Sequence, residues 1–271
     1  MSKLTLFGKL IVVLLQKPSV IAKALFHAVR NYGFQQIAKR YGLSNGFKEV
    51  SIIDLCPGFD VTINTYTFLN GTSTPPDLAL LKYLAQNNKV ADYLEIGTWR
   101  GESIVNVAPY VTNAVSLSLS KAEMIEMGYY IGAVDAALMF SKDIPNILHI
   151  GHNSKTFDFS SLNKKFDLIF VDGDHEYEAV KLDTANVFKL LKDENSIIVW
   201  HDYAPAFEVI NYQVLAGILD GSPKEALSKI YHVSNTMCAI YTNKPLKTYD
   251  RHYPATPNKV FDVTVKVKPI A

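Results

Sequence analysis

The sequence predicts an α/β fold, a doubly wound and mostly parallel sheet of seven strands with an antiparallel edge hairpin, preceded by N-terminal helices. Three observations predict it. Short apolar runs alternate with helix-periodic segments from about residue 77 onward. A glycine-containing turn sits directly between the first of these runs and the next helix. Two further β-type runs close the pattern around a Ser-Asn-Thr turn. Alternating β and α units of this length place helices on both faces of a parallel sheet.

The elements follow in order. Residues 49–76 read as a loop-rich connector, because Pro57-Gly58, Asn70-Gly71 and Pro75-Pro76 are turn signals. Asp77 is expected to cap a helix running to about Gln86, with Leu78, Leu81 and Leu84 apolar. Tyr93–Ile96 is the first strand, and a helix follows from about Glu102. Ala114–Leu117 is the second strand, and 122–140 reads as a second helix. Ile147–Ile150 is the third strand. Phe166–Val171 is the fourth, almost wholly apolar as a strand covered on both faces should be. Val180, Thr184, Val187 and Leu191 step along one helical face. Ser196–Trp200 is the fifth strand. Ile230–Val233 and Met237–Tyr241 flank Ser234-Asn235-Thr236 as the edge hairpin. Domain boundaries follow: a leader at 1–48, the connector at 49–76, the main domain at 77–246 and a tail at 247–271.

Composition bounds the function. The chain has 271 residues and 48% hydrophobic content, enough for one substantial core. Cys56 and Cys238 stand far apart and form no zinc or disulfide pattern. They read as small buried side chains in a reducing, cytoplasmic compartment. The leader carries Lys3, Lys9, Lys17, Lys23, Arg30, Lys39, Arg40 and Lys48 and no acidic residue. Taking these eight from the 27 basic residues leaves 19 against 26 acidic ones on the body. Phosphate contacts need a basic face beside the site, so a nucleic-acid substrate is not expected.

Leu4–Leu15 is an apolar run too short to span a bilayer. No small-residue cleavage site follows it, which argues against a signal peptide. A helix begins at Pro18-Ser19, with Ile21, Leu25, Ala28 and Tyr32 on one face and Lys23, His27 and Arg30 on another. Together the two segments suggest peripheral contact with an anionic membrane, at its inner face. A lid over the main domain and a dimer contact are the alternatives. Oligomeric state is not legible.

Ligands bind outside the carboxyl ends of strands in open α/β sheets. After the first strand comes Glu95-x-Gly97-x-x-x-Gly101. Gly97 permits a sharp turn and close approach of a ligand. Gly101 lets the next helix start tight against the strand, with its free N–H groups facing an anion. The spacing departs from the dinucleotide pattern Gly-x-Gly-x-x-Gly, which weighs against a nucleotide-dependent oxidoreductase. A carboxylate at Glu95 would repel a pyrophosphate and suit an ammonium. After the fourth and fifth strands come Asp172, Asp174 and His175, then His201 and Asp202. Two histidines and three carboxylates thus converge on one crevice. Asp174 could equally be only a helix cap. Tyr203 is either a pocket residue or a core aromatic.

Residues 93–103 (YLEIGTWRGES), 166–177 (FDLIFVDGDHEY) and 197–203 (IIVWHDY) together resemble the class I methyltransferases. The resemblance runs from about residue 70 to 245. It is nearest to the small-molecule and sugar O-methyltransferases of the macrolide-sugar and cephalosporin-pathway type. It implies a Rossmann-like sheet and S-adenosylmethionine as cofactor. It further implies that Glu95, Gly97, Thr98 and Gly101 cradle the methionine part, with Trp99 and Ser103 also among the cofactor-binding residues. Asn153 and Ser154 would lie near the adenine, and Asp172 at the junction of cofactor and acceptor. In metal-dependent relatives the residues matching Asp172, His201 and Asp202 hold magnesium, so those three are the candidate metal ligands here. Asp172, His175, His201 and Asp202 are the candidate catalytic residues, with His201 or His175 as general base. The acceptor expected is a small-molecule or sugar hydroxyl, including a glycan precursor at a membrane surface. Thr72, Ser73 and Thr74 are placed to fold over the cofactor.

Three departures matter. The second strand ends in serines where the family has an acidic ribose ligand, and Ser118 is the equivalent; it forgoes a charge-assisted contact. Asp193-Glu194-Asn195-Ser196 replaces a Pro-Gly-Gly turn far from the site. His201 replaces a carboxylate, which weakens a magnesium site and suits a softer metal or none. Ser118 and His201 also support an alternative: a catalytically inactive module that keeps the cofactor-binding fold.

Overall fold

The computed structural model describes Lys9, Val12, Val13 and residues 16–270. The apolar run Leu4–Leu15 therefore lies, apart from those three residues, outside the described residues. Helix α1 spans Pro18–Arg40. Strand β1 (Glu49–Val50) and helix α2 (Ile52–Leu55) follow, then α3 (Pro75–Asn87). The βα units begin with β2 (Asp92–Ile96), α4 (Glu102–Val107) and β3 (Asn113–Ser118). They continue through α5 (Lys121–Glu126), α6 (Ile131–Asp135) and β4 (Ile147–Gly151). Next come β5 (Leu168–Val171), α7 (Tyr177–Lys189), β6 (Ile197–Trp200) and α8 (Tyr212–Gly221). Strands β7 (Ile230–Val233), β8 (Ala239–Tyr241) and β9 (Thr248–Tyr249) complete the set.

The strands form one sheet in the order β4-β3-β2-β5-β6-β8-β7-β1-β9. The first five run parallel, and β8 is antiparallel to β6 and β7. The order reverses between β2 and β5, which opens a crevice above their carboxyl ends. The seven expected strands are all present. The sheet is nevertheless nine-stranded, because β1 adds parallel to β7 and β9 adds antiparallel to β1. Each addition is two residues long, too short for a period-two signal, so the connector and tail read as loop in sequence.

The central strands alternate between two cores. Leu94, Ile96, Ile169, Val171, Ile198 and Trp200 face α7 and α8. Tyr93, Leu168, Phe170, Ile197 and Val199 face α3 and α4. Successive side chains leave a strand on opposite faces, and both faces here are apolar and covered.

Two helices differ from expectation. The segment 122–140 is not one helix: Gly128 at φ +78° ends the first piece, and α6 restarts at Ile131. Thr74, not Asp77, is the N-cap of α3; Asp77 is at N3 and closes a capping box.

Candidate active site

The loops after β2, β3, β4, β5 and β6 enclose a cavity of about 600 Å³, a size suited to a small molecule or cofactor. Gly97 forms its floor at φ +100°, and a Cβ there would overlap the backbone of Asp172 and Gly173. Only glycine permits the β2 turn and the β5 turn to touch at this point. Gly101 at φ +93° starts α4 against Ser141 in the same way.

Thr98, Trp99, Ser103, Ser118, Asn153, Ser154 and Asp172 all line the cavity, as do His175, His201 and Asp202 from the loops after β5 and β6. Glu95 does not. It is fully buried, and its carboxylate accepts from Tyr93 Oη, Thr98 Oγ1 and Ser103 Oγ, each at 2.7 Å. Burial holds its pKa above the ordinary value despite those three donors. Those donors take three of the roughly four acceptor sites of the carboxylate, and it supports the glycine loop from beneath. Tyr203 is likewise core: it is buried, stacks on Phe47 and accepts from Phe47 N at 2.9 Å.

A roof covers one side of the cavity. Arg100 and Glu102, both buried, pair at 3.0 Å. Arg100 stacks on Trp99, and donates to Asn70 O at 3.2 Å and to Thr72 Oγ1. Glu102 accepts from Thr67 and Thr72. The pair thus straps the 65–74 loop down, with Gly71 lying against the Trp99 ring. Thr72 and Ser73 line the cavity beneath this strap, and Ser73 Oγ donates to Asp172 Oδ2 at 3.2 Å.

The charged cluster is centred on His201. Its ring is buried, with Nε2 3.2 Å from Asp77 Oδ2. Nδ1 lies 2.9 Å from Asp172 Oδ1 and 3.3 Å from Asp202 Oδ2, yet makes no well-aligned hydrogen bond. Asp77 has no exposed surface and is fixed by donors: Met237 N at 2.8 Å, Thr74 N at 2.8 Å and the His201 ring. Burial would raise the Asp77 pKa, but His201 and these donors hold it low. Burial would depress His201, but the charges of Asp172 and the other carboxylates hold it well above the ordinary histidine value. The carboxylates around the ring favour its protonated form.

His175 differs. It is 56% exposed at the rim, and its Nδ1 sits 2.9 Å from Asp202 Oδ2. Asp174 is not the cap of α7, whose N-cap is Glu176. It accepts from Glu176 N at 2.9 Å, and it also pairs with Lys155 at 2.5 Å across the cavity mouth.

Sequence reasoning missed Asp77, the Arg100–Glu102 strap and Met237. The one signal for Asp77 was the Thr74-x-x-Asp77 spacing, which reports a helix start and nothing about a site.

Residues 94–203 match the family model described as a methyltransferase domain. Among solved structures, the chain is similar to a candidate O-methyltransferase from Klebsiella pneumoniae at 14% identity and TM-score 0.48, covering 65% of this chain and 84% of that one. It is similar to the O-methyltransferase from Bacillus cereus in complex with S-adenosylhomocysteine at 15% identity and TM-score 0.42, covering 76% and 88%. It is also similar to TomG from Streptomyces achromogenes, an O-methyltransferase of tomaymycin synthesis in complex with S-adenosylmethionine, at 15% identity and TM-score 0.44, covering 79% and 89%. No curated protein matches the sequence.

Proposed function

We propose that this methyltransferase domain transfers the methyl group of S-adenosylmethionine to a hydroxyl of a small molecule or sugar. One observation carries the reading. The glycine turn after β2 opens backbone to a ligand at the same cavity wall where Asp172, His175, His201 and Asp202 converge. The methionine part would lie along Gly97 to Gly101, and the adenine beside Asn153 and Ser154. Ser118 would meet the ribose with a hydroxyl in place of a carboxylate, at some cost in affinity.

The acceptor hydroxyl must point at the sulfonium methyl and give up its proton. His175 is the residue suited to take it. Asp202 holds the Nδ1 side of the ring, which leaves Nε2 as the acceptor, and the rim position admits a substrate. Asp172, fixed by Ser73, borders the point where cofactor and acceptor meet. The Arg100–Glu102 strap would screen that side of the cavity from solvent.

Asp172, His201 and Asp202 also fit a divalent cation. Their donor atoms lie within 4.8 Å of one another. The buried Nδ1 of His201 has no aligned partner, and Asp77 holds the opposite nitrogen as the outer carboxylate of a metal-bound histidine does. One nitrogen and two carboxylates suit a borderline cation better than magnesium. Such a cation, when bound, would lower the pKa of the acceptor hydroxyl.

Calorimetric titration with S-adenosylmethionine and S-adenosylhomocysteine tests the cofactor. Binding in the micromolar range followed by turnover on a hydroxyl-acceptor panel supports the reading. Tight binding with no turnover, with and without divalent cations, would favour the inactive module that Ser118 suggests. No binding at all would refute the cofactor assignment.

A further inference from the structure

We infer that helix α1 is a docking element for an anionic lipid bilayer. The helix meets the body of the protein through Arg30, Phe34, Ala38 and Tyr41. Phe34 packs 5.4 Å from the Tyr177 ring, Ala38 is fully buried, and Tyr41 donates to Asp220 at 2.8 Å. On the opposite face Leu25, Val29 and Tyr32 follow helical spacing and stand 61%, 70% and 62% exposed. Before Arg30 the helix also presents Val20 and Phe26 to solvent. A helix on a soluble surface normally turns such residues inward, and a contiguous exposed apolar stripe marks an interaction site.

Charge selects the partner. Residues 1–48 contain eight basic and no acidic side chains, on a body that is net acidic. Among the described residues Lys17, Lys23, Lys39 and Arg40 form no salt bridge, whereas Arg30 is committed to Glu176. One-signed charge on a helix that also exposes apolar side chains matches acidic headgroups above acyl chains. No described helix is long and apolar enough to cross a membrane. On this inference the helix lies in the interface, with its lysines reaching to the headgroups.

The body-facing side of α1 reaches the cavity rim. Arg30 also donates to Gln213 Oε1 at 2.5 Å, and Gln213 Nε2 donates to His175 O at 2.8 Å. A bilayer on the opposite face of α1 would lie one helix diameter, about 10–12 Å, from that contact. The acceptor would then be a hydroxyl presented at headgroup level, such as a sugar on a lipid carrier. That last step rests on the methyl-transfer reading; the docking itself does not.

Cosedimentation of the full chain with vesicles tests it. One set contains phosphatidylcholine alone, the other an about 7:3 mixture with phosphatidylserine, comparable to an anionic leaflet. The wild type should bind only the mixed vesicles and lose at least about tenfold in partitioning at high salt. Leu25→Glu with Val29→Glu should abolish binding, and Lys17→Glu with Lys23→Glu should weaken it at least about tenfold. All four positions are solvent-exposed, so calorimetric cofactor binding serves as an independent check of folding in each variant. Absence of binding to mixed vesicles would overturn the inference. So would variants that bind as well as the wild type, or a self-association of the wild type that the Leu25/Val29 variant dissolves. Vesicle binding by a protein that ignores S-adenosylmethionine would leave the docking intact and sink the methyl-transfer reading alone.

Discussion

Replacing Asp183 by asparagine should raise the protein's stability relative to the wild type as pH rises from acid to neutral. Asp183 lies on α7, directly under the cavity floor. Its side chain is 1% exposed, Oδ2 accepts only from Ser154 at 3.3 Å, and Oδ1 has no partner. Burial without adequate donors pushes its pKa up from 3.8 to about 6. The sign follows from proton counts. Between those two values the folded protein keeps a proton that the unfolded chain has released. Stability therefore falls as pH rises through this window, and the full penalty stands above about pH 6. A shift of about two units at ~1.4 kcal/mol each amounts to ~3 kcal/mol. An asparagine stays neutral throughout. Its amide can lack a partner for one N–H, which costs ~1–3 kcal/mol but equally at every pH. The diagnostic is thus the slope of the stability difference, not its offset. Urea unfolding of both proteins at intervals from about pH 4 to 8 measures it. The variant should gain ~3 kcal/mol on the wild type across that range. A difference that stays flat would refute the argument that Asp183 is an under-solvated carboxylate.

The other predictions concern the site itself. Gly97→Ala should lose at least about 100-fold in calorimetric affinity for S-adenosylmethionine, since a Cβ overlaps the Asp172 backbone and φ +100° is strained for alanine; binding within about twofold of wild type would disprove the close approach. His175→Gln should lower kcat/KM by about 10²–10⁴-fold with cofactor affinity unchanged, the range for loss of a general base; an equal loss of cofactor affinity would move His175 out of the proton-transfer role. Asp77→Ala should cost ~3–5 kcal/mol in urea unfolding, because it strands the His201 ring and the Met237 N–H in a buried place; a cost under ~1 kcal/mol would show that Asp77 does not hold the ring.

Most of the fold was legible because the central strands are extreme cases. Phe170 and Ile198 are covered on both faces, so their runs are apolar without a gap, and the helices between them keep strict spacing. What was not legible depended on contacts distant in sequence. Strands β1 and β9 pair across about 200 residues and offer two positions each. The site divides the same way. Glycines and the residues just past strand ends advertise themselves, because backbone conformation and sheet topology fix where they must lie. The state of a side chain does not. Glu95 reads as a ligand-facing carboxylate until Tyr93, Thr98 and Ser103 are seen to occupy it, and His201 reads as a free base until three carboxylates are seen around it. Asp77 looks like a helix cap because its second role depends on His201, 124 residues away.

The cluster around His201 also bears on the choice between an enzyme and an inactive module. Asp77 has no exposed surface, and Asp172 and Asp202 are only about 20% and 19% exposed. Bringing three carboxylates to one buried imidazole has a desolvation cost of several kcal/mol per ion, and an apolar replacement of such a group is often more stable. The cost is compounded by a buried ring nitrogen without an aligned partner. A fold that merely retained a cofactor would need the glycine turn, which packs on the Asp172 backbone, and the adenine loop, but not the charges gathered here. Under the proposed reaction, the cluster's position at the cavity wall gives it a use, because charge must be managed where the methyl group moves. Perturbed, desolvated groups of this kind gather where chemistry occurs. On that ground the enzyme reading outweighs the loss of an acidic ribose ligand at Ser118, which weakens binding without disturbing the reacting centre.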